Sequence, residues 1–323
     1  MSPTKHKINL EFTGEHSIAE LIGDRDELIK MIERKYNVDV FILGNDLEIS
    51  GKTKNVKEVT RLIKELALQI NLGHTINREK VSDSIKIIES SPEYKPHQIF
   101  KESILVNNGK KIKPRTAGQK KYIDSIKDNT IIFGVGPAGT GKTYLALATA
   151  VEALKENRIA RIILVKPVVE AGEKLGFLPG DIYDKVSPYL RPLYDALYEM
   201  LNIEKFQKYR DMGIIEVVPL AYMRGRTLND SFILLDEAQN ASPEQMKMFL
   251  TRLGFGSKMV ITGDITQVDL PGDKQSGLIL MRSIFDDIEG IDFVYLTSKD
   301  VIRHELVKKI VDAYKEFEDR AKR

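Results

Sequence analysis

Eight consecutive residues, Gly136-Pro137-Ala138-Gly139-Thr140-Gly141-Lys142-Thr143, narrow the fold of this 323-residue chain more than any other feature. They follow an apolar run at 131–135 and precede a helical pattern from Tyr144, so they read as the turn from a strand into a helix. The glycines let the backbone curl until consecutive N–H groups face one point, and the helix N-terminus adds a dipole that favours an anion there. The spacing G-x-x-x-x-G-K-T is the P-loop pattern, and it predicts a nucleotide triphosphate, ATP, held with Mg²⁺. Gly136, Pro137, Ala138, Gly139, Thr140 and Gly141 would cradle the phosphates. Lys142 would reach the β- and γ-phosphates, and the Thr143 hydroxyl would ligate the metal.

From Ala117 onward, short β-branched runs at 130–135, 162–165, 214–218, 232–235, 259–262 and 293–296 alternate with helical stretches. Strands apolar at nearly every position are covered on both faces. With helical crossovers between them they predict an α/β fold with a mostly parallel sheet. Ligands in such sheets gather at the carboxyl ends of the strands. The run ending at Leu235 meets Asp236-Glu237 there. Asp236 is placed to hold Mg²⁺ through water, and Glu237 to orient or deprotonate an attacking water. The run at 259–262 meets Gly263-Asp264-Ile265-Thr266-Gln267, in which Gln267 suits a γ-phosphate sensor or a holder of that water. Upstream, the Gln119 amide suits an adenine edge; a plain helix-start glutamine is the alternative.

Composition removes other chemistries. The chain has no cysteine, which excludes a disulfide framework, a thiolate zinc site and a thiol nucleophile. His6, His16, His74, His97 and His304 lack ligand spacing, so no metal is expected on protein side chains alone. No apolar run reaches the length of a membrane span, and MSPTKHKINLEF lacks the apolar core of a signal peptide. A cytoplasmic protein without membrane contact is expected. The net charge of +2 carries no case for nucleic acid by itself.

The first 72 residues follow a different rhythm. A strand at 7–12, helices at 17–21 and 27–36, a hairpin at 38–43 and 47–50 across Gly44-Asn45, and an amphipathic helix at 56–70 give the order β-α-α-β-β-α. A helix at 79–90, a break at Pro92 and Pro96, and a hairpin at 103–113 around Asn107-Asn108-Gly109 follow. The expected organisation is a small α+β domain at 1–75, a connecting segment at 76–115 and the P-loop domain at 116–323.

Longer runs extend the pattern: Val169 through Asp181 (VEAGEKLGFLPGD), Pro188 through Asp195 (PYLRPLYD), Met223-Arg224-Gly225-Arg226, Asp236-Glu237-Ala238-Gln239-Asn240, and Gly263-Asp264 with Gln267. With the P-loop, they resemble the PhoH family, bacterial P-loop ATPases related to the first RecA-like domain of superfamily 1 helicases. The resemblance covers nearly the whole chain. It implies a RecA-like core that binds ATP, a link to RNA metabolism, and an endoribonuclease of the YbeY type as a partner. It also aligns Gln119 with the adenine-reading glutamine, Asp236-Glu237 with the second helicase motif and Gly263 to Gln267 with the third. One departure stands out: 268–323 is too short for the second RecA-like domain that supplies helicases with an arginine. Arg303 is the candidate replacement, acting as an arginine finger across the interface of a homo-oligomer such as a ring; a surface salt bridge is the alternative.

The order at 7–70 also resembles a KH-type RNA-binding domain, which clamps RNA with a GXXG loop. Here that loop reads Gly23-Asp24-Arg25-Asp26, with the second glycine missing and two acids present. Asp24 or Asp26 is expected to cap the next helix instead. Basic groups for RNA are sought at Lys110, Lys111, Lys113, Arg115, Lys120 and Lys121, and at Arg224 with Arg226; a solvated hairpin is the plain alternative. Three functions remain: an RNA-stimulated ATPase or remodeller, an ATP-dependent adaptor for a nuclease, and a P-loop kinase. Glu237 beside Asp236 favours hydrolysis over transfer to an acceptor.

Overall fold

The structure, a computed structural model, describes residues 4–91, 93–106, 109–167, 182–270, 275–303 and 305–321. At 182–189 and at several positions beyond 304 it describes the backbone only. The chain divides into two compact units, one made of 1–102 with 113–117 and one made of 103–112 with 118–323.

The first unit has the order read from the sequence. Strands β1 (Thr4–Asn9), β2 (Val38–Leu43) and β3 (Asp46–Gly51) form an antiparallel sheet in the order β1-β3-β2. Helices α1 (Ile18–Ile22), α2 (Glu27–Tyr36) and α3 (Thr53–Asn71) belong to the same unit. The amphipathic positions named above, Leu28, Ile29 and Ile32 of α2 and Val59, Leu62, Ile63, Leu66 and Ile70 of α3, are buried in one core with Leu47 and Ile49. The segment 76–115 divides between the units. Helix α4 (Arg78–Ser90) adds Val81, Ile85 and Ile88 to this core, and α5 (Pro96–Lys101) follows it. The short hairpin β4 (Ile104–Leu105) with β5 (Lys111–Ile112) belongs to the second unit.

The cap expected before α2 takes another form. Asp26 holds the N-cap position, but its backbone is left-handed (φ 63°) and its side chain makes no cap hydrogen bond. It lies instead 3.6 Å from Lys30. A left-handed N-cap turns the side chain away from the N–H groups that an extended one would meet.

In the second unit, β6 (Ile131–Val135), β7 (Arg161–Lys166), β8 (Ile215–Pro219), β9 (Ser231–Leu235), β10 (Lys258–Gly263) and β11 (Ile291–Tyr295) form one sheet in the order β11-β6-β10-β9-β7-β8. Every neighbouring pair is parallel. Alternate residues serve opposite faces, as a pleated strand requires. Ile132, Ile162, Leu164, Phe232, Leu234 and Val260 pack with helices α6 (Ala117–Asp128), α7 (Lys142–Lys155), α8 (Ile182–Leu201) and α9 (Ile203–Asp211). Phe133, Ile163, Val165, Ile233, Leu235 and Ile261 pack with α10 (Pro243–Leu250) and α11 (Gly277–Phe285). The doubly covered α/β sheet expected from the apolar runs is therefore present, and its strand order is that of a RecA-like P-loop fold. A last helix, α12 (Glu305–Ala321), ends the description. No described helix is long and apolar enough to cross a membrane.

Candidate functional site

The parallel register brings the carboxyl ends of β6, β9 and β10 together, and the loops leaving them build one cleft of about 290 Å³. Ala138, Gly139, Gly141, Lys142, Thr143, Asp236, Glu237 and Gln267 line it, joined by Tyr144, Gly263 and Asp264. Residues separated by up to 129 positions in sequence thus line one cleft.

The loop itself is a concave set of donors. Gly139 and Gly141 lie at φ 84° and 83°, a region that residues with a side chain enter at a cost of roughly 1–2 kcal/mol. The N–H groups of Gly139, Thr140 and Gly141 have no acceptor among the described residues. Lys142 is buried, and its ammonium folds back onto the carbonyls of Gly136 (2.6 Å) and Pro137 (2.9 Å). Burial pulls its pKa below the usual lysine value, against the opposing charges of Asp264, Asp236 and Glu237. Behind the loop Tyr122 is fully buried, with a ring so close to Gly134 that a Cβ there would lie 2.6 Å away. Its burial, with the charge of Asp236, holds the phenol protonated far above its ordinary range.

The acids are held differently. Asp236 is buried, and its Oδ1 accepts from Thr143 Oγ1 at 2.7 Å and from Thr262 Oγ1 at 2.8 Å. Glu237 follows with a left-handed backbone (φ 55°) that swings its half-exposed carboxylate to the cleft mouth. Its Oε2 accepts from Gln239 Nε2 at 2.6 Å, and its Oε1 lies 3.9 Å from Lys166 Nζ. The same Gln239 amide, almost fully buried, accepts from the Asp264 N–H at 2.9 Å. Asp264 closes the chain of contacts: Oδ2 accepts from Ala138 N–H (3.2 Å) on the phosphate loop, and Oδ1 from the Thr266 N–H and hydroxyl. Thr262, Gln239 and Asp264 were not among the predicted site residues. Gln239 and Asp264 stood inside runs quoted for the resemblance, which was their only signal.

Five predicted residues are not in the cleft lining: Gly136, Pro137 and Thr140 of the loop itself, and Gln119 and Arg303. Gln119 is buried and donates from Nε2 to the Thr140 carbonyl at 2.9 Å. Arg303 donates from Nη2 to the Ala138 carbonyl at 3.0 Å, while the Ile302 N–H donates to the Gly139 carbonyl at 2.9 Å. Arg303 therefore touches the phosphate loop of its own chain. The run at 169–181, the longest of the runs that carry the family resemblance, lies outside the described residues.

The donor set fits a polyphosphate with Mg²⁺. Loop N–H groups without an acceptor among the described residues stand at a helix N-terminus, with the Lys142 ammonium held on the same loop. One hydroxyl and one carboxylate, both hard oxygen donors, suit an ion that keeps most of its shell as water and phosphate. Among the described residues no cluster of three His, Asp or Glu could hold a metal alone.

Four of the eight candidate basic groups are paired with acids. Lys110 meets Glu199, Arg115 meets Glu79 (2.7 Å) and Asp83 (2.6 Å), and Lys120 meets Asp124 (2.7 Å). Arg226 makes a two-pronged contact with Glu216 at 2.9 and 2.6 Å. At the GXXG position a wider groove of about 920 Å³ carries mixed charge, with Arg78 tied to Glu27 at 2.6 Å.

Fold and site together define a P-loop protein of the RecA-like type. A family model described as "PhoH-like protein" matches residues 111–315. The PhoH-like protein of Mycobacterium tuberculosis H37Rv is 51% identical over 302 residues, 94% of this chain and 86% of the relative. That of Bacillus subtilis is 48% identical over 91% and 92% of the two chains, and Protein PhoH of Escherichia coli K12 is 43% identical over 62% and 57%. The chain belongs to the PhoH-like family. Among solved structures it is similar to a Sulfolobus solfataricus SWI2/SNF2 ATPase core in complex with dsDNA (15% identity, 55% of this chain and 44% of that one, TM-score 0.34). It is also similar to the Pif1 helicase of Candida albicans (12% identity, 61% and 42%, TM-score 0.31).

Proposed function

We propose that this protein binds Mg²⁺-ATP and hydrolyses it, as an RNA-associated ATPase of the helicase-like remodelling kind that works as an oligomer. One observation carries the hydrolytic part: Thr143 and Asp236 share a 2.7 Å hydrogen bond beside three free loop N–H groups, with Glu237 aimed across the same cleft. Bound Mg²⁺ would neutralise charge on the β- and γ-phosphates. Thr143 and Asp236 would hold it, and Lys142 would exchange its two loop carbonyls for phosphate oxygens. Glu237 has Oε2 committed to Gln239, which leaves Oε1 to accept a proton as water oxygen bonds to the γ-phosphorus and the bond to the bridging oxygen breaks. Gln239 positions that carboxylate.

Arg303 is read here as serving its own chain. Its contact with Ala138 supports a role at its own loop rather than a finger supplied across an oligomer interface. The RNA link, the oligomer and the nuclease partner rest on the family resemblance. ATP turnover measured with and without single-stranded RNA at low salt, with Glu237→Gln as the inactive control, tests the reading. Stimulation by RNA supports a remodeller. Turnover that ignores RNA favours an adaptor for an endoribonuclease, and absence of turnover in the unmodified protein refutes the ATPase.

A further inference from the structure

At the amino end of β10, opposite the nucleotide cleft, Phe255 stands in the open. It is 92% exposed, more than any other large apolar residue described. This exposure is not slack in a loose loop. The Phe255 N–H donates to Asn229 Oδ1 at 2.9 Å, and its carbonyl accepts from the Asp230 N–H at 2.8 Å. The Gly254 N–H donates to the Leu228 carbonyl at 2.9 Å. Neither flanking glycine has room for a side chain: a Cβ at 254 would lie 2.1 Å from Asn229 Oδ1, and one at 256 would lie 2.3 Å from Asp230 Oδ1. The turn is sealed against residues 228–230, and the ring is what remains outside.

Its surroundings indicate the kind of partner. Leu228 and Phe249 are fully buried, so neither adds exposed apolar surface beside the ring. Three residues before it, Arg252 donates to the Met248 and Arg226 carbonyls and the Thr251 hydroxyl at 2.9–3.0 Å. Three residues after it, Lys258 donates to the carbonyls of Ile126, Lys127 and Asn129. Arg161, at the start of β7, donates to Ser231 Oγ at 3.2 Å. None of these partners carries charge, so the positive charge of all three is uncompensated by direct pairing; Asp230 is the acid against the turn. A protein-docking aromatic sits within a ring of contacts that exclude water. A nucleobase needs only a bare ring face, with cations alongside for the backbone.

We propose that Phe255 is a stacking platform for a base of single-stranded nucleic acid, with Arg252, Lys258 and Arg161 attracting the phosphates. This rests on the RNA-associated reading above and adds the place of contact. The test is binding of a fluorescein-labelled 20-nucleotide single-stranded RNA to the full chain, read by anisotropy at 50 mM salt. Phe255→Ala is expected to weaken binding about 10-fold or more, and Phe255→Leu similarly, whereas Phe255→Trp keeps it within about threefold. Melting temperature and ATP binding should not change in any of them, because the ring packs against nothing. Unaltered RNA binding by Phe255→Ala overturns the platform and leaves the RNA reading standing. Full binding by Phe255→Leu overturns stacking as the mode of contact. An unmodified protein that binds no RNA at low salt overturns both.

Discussion

Replacing Gln239 by alanine should damage catalysis more than nucleotide binding, and its size follows from two hydrogen bonds. The amide donates to Glu237 at 2.6 Å and accepts from the Asp264 N–H at 2.9 Å, in a site only 1% exposed. Losing a hydrogen bond to a charged acceptor costs about 1.5–3 kcal/mol, and a buried N–H left unpaired costs about 1–3 kcal/mol. The two losses share one side chain and do not simply add; about 2–4 kcal/mol is expected, or roughly 5–15 °C in melting temperature for a unit of this size. Catalysis loses the aim of Glu237. A misdirection worth about 1.4–2.7 kcal/mol lowers kcat about 10- to 100-fold. KM for ATP should move less than threefold, since the contacts of Lys142 and Thr143 do not involve Gln239.

Gln239→Glu separates aim from packing. It keeps an acceptor for Asp264 but sets a second carboxyl against Glu237, and two carboxylates at that distance cannot both ionise. The introduced carboxyl has a raised folded pKa, so the folded state binds more protons than the unfolded one, and stability falls as pH rises through that range. Urea melts and phosphate-release assays between pH 5 and 8 measure both effects. If kcat for Gln239→Ala stays within twofold of the unmodified protein while stability drops as expected, Gln239 is structural only and the positioning role is refuted.

Three further outcomes follow from the same contacts. Burial depresses Lys142, so on raising pH the nucleotide-free protein gives up this proton before an ordinary lysine would, and ATP affinity should begin to fall below pH 10.5; titration of a fluorescent ATP analogue checks it. Burial likewise brings Lys258 down to about 8, so the unfolded chain holds more protons between pH 8 and 10.5. Stability should gain with pH across that window, and Lys258→Met should remove the gain in urea melts. Arg303→Ala should lower ATP turnover, and mixing it with Lys142→Ala subunits should restore nothing, since Arg303 serves its own loop; recovered activity would show that it acts across subunits instead.

The strands, the phosphate loop and the two acids were legible because each is written locally. A run such as Ile131–Val135 declares a doubly covered strand by its own composition, and the loop by its spacing. What joins them is not local. The Asp264–Ala138 contact spans 126 positions, and those of Thr262 with Asp236 and Asp264 with Gln239 span 26 and 25. Periodicity says which face a residue shares, not which distant N–H its side chain will meet. The cap at Asp26 misled for a related reason: the residue type suits a side-chain cap, but the left-handed backbone of the turn decides where the side chain points. The cationic run at 110–121 looked available because its acids, Glu199, Glu79 and Asp83, lie on other elements.

Two strands fix how the two ends of the second unit can communicate. β10 starts just after Phe255, runs between β6 and β9, paired with both at Met259 to Ile261, and ends at Gly263 beside the phosphate loop. Six strand residues at about 3.3 Å each separate the ends by roughly 20 Å. A base stacked on Phe255 therefore cannot touch a phosphate in the cleft. An effect of such a base on turnover has to pass through the strands between: along β10, whose side chains Met259 to Ile261 are wholly buried, to Asp264, Gln239 and Glu237, or along β9 from residues 228–230 to Asp236. Along the β10 route Gln239→Ala should uncouple RNA from turnover while leaving RNA affinity intact, because it cuts the last link without touching the first.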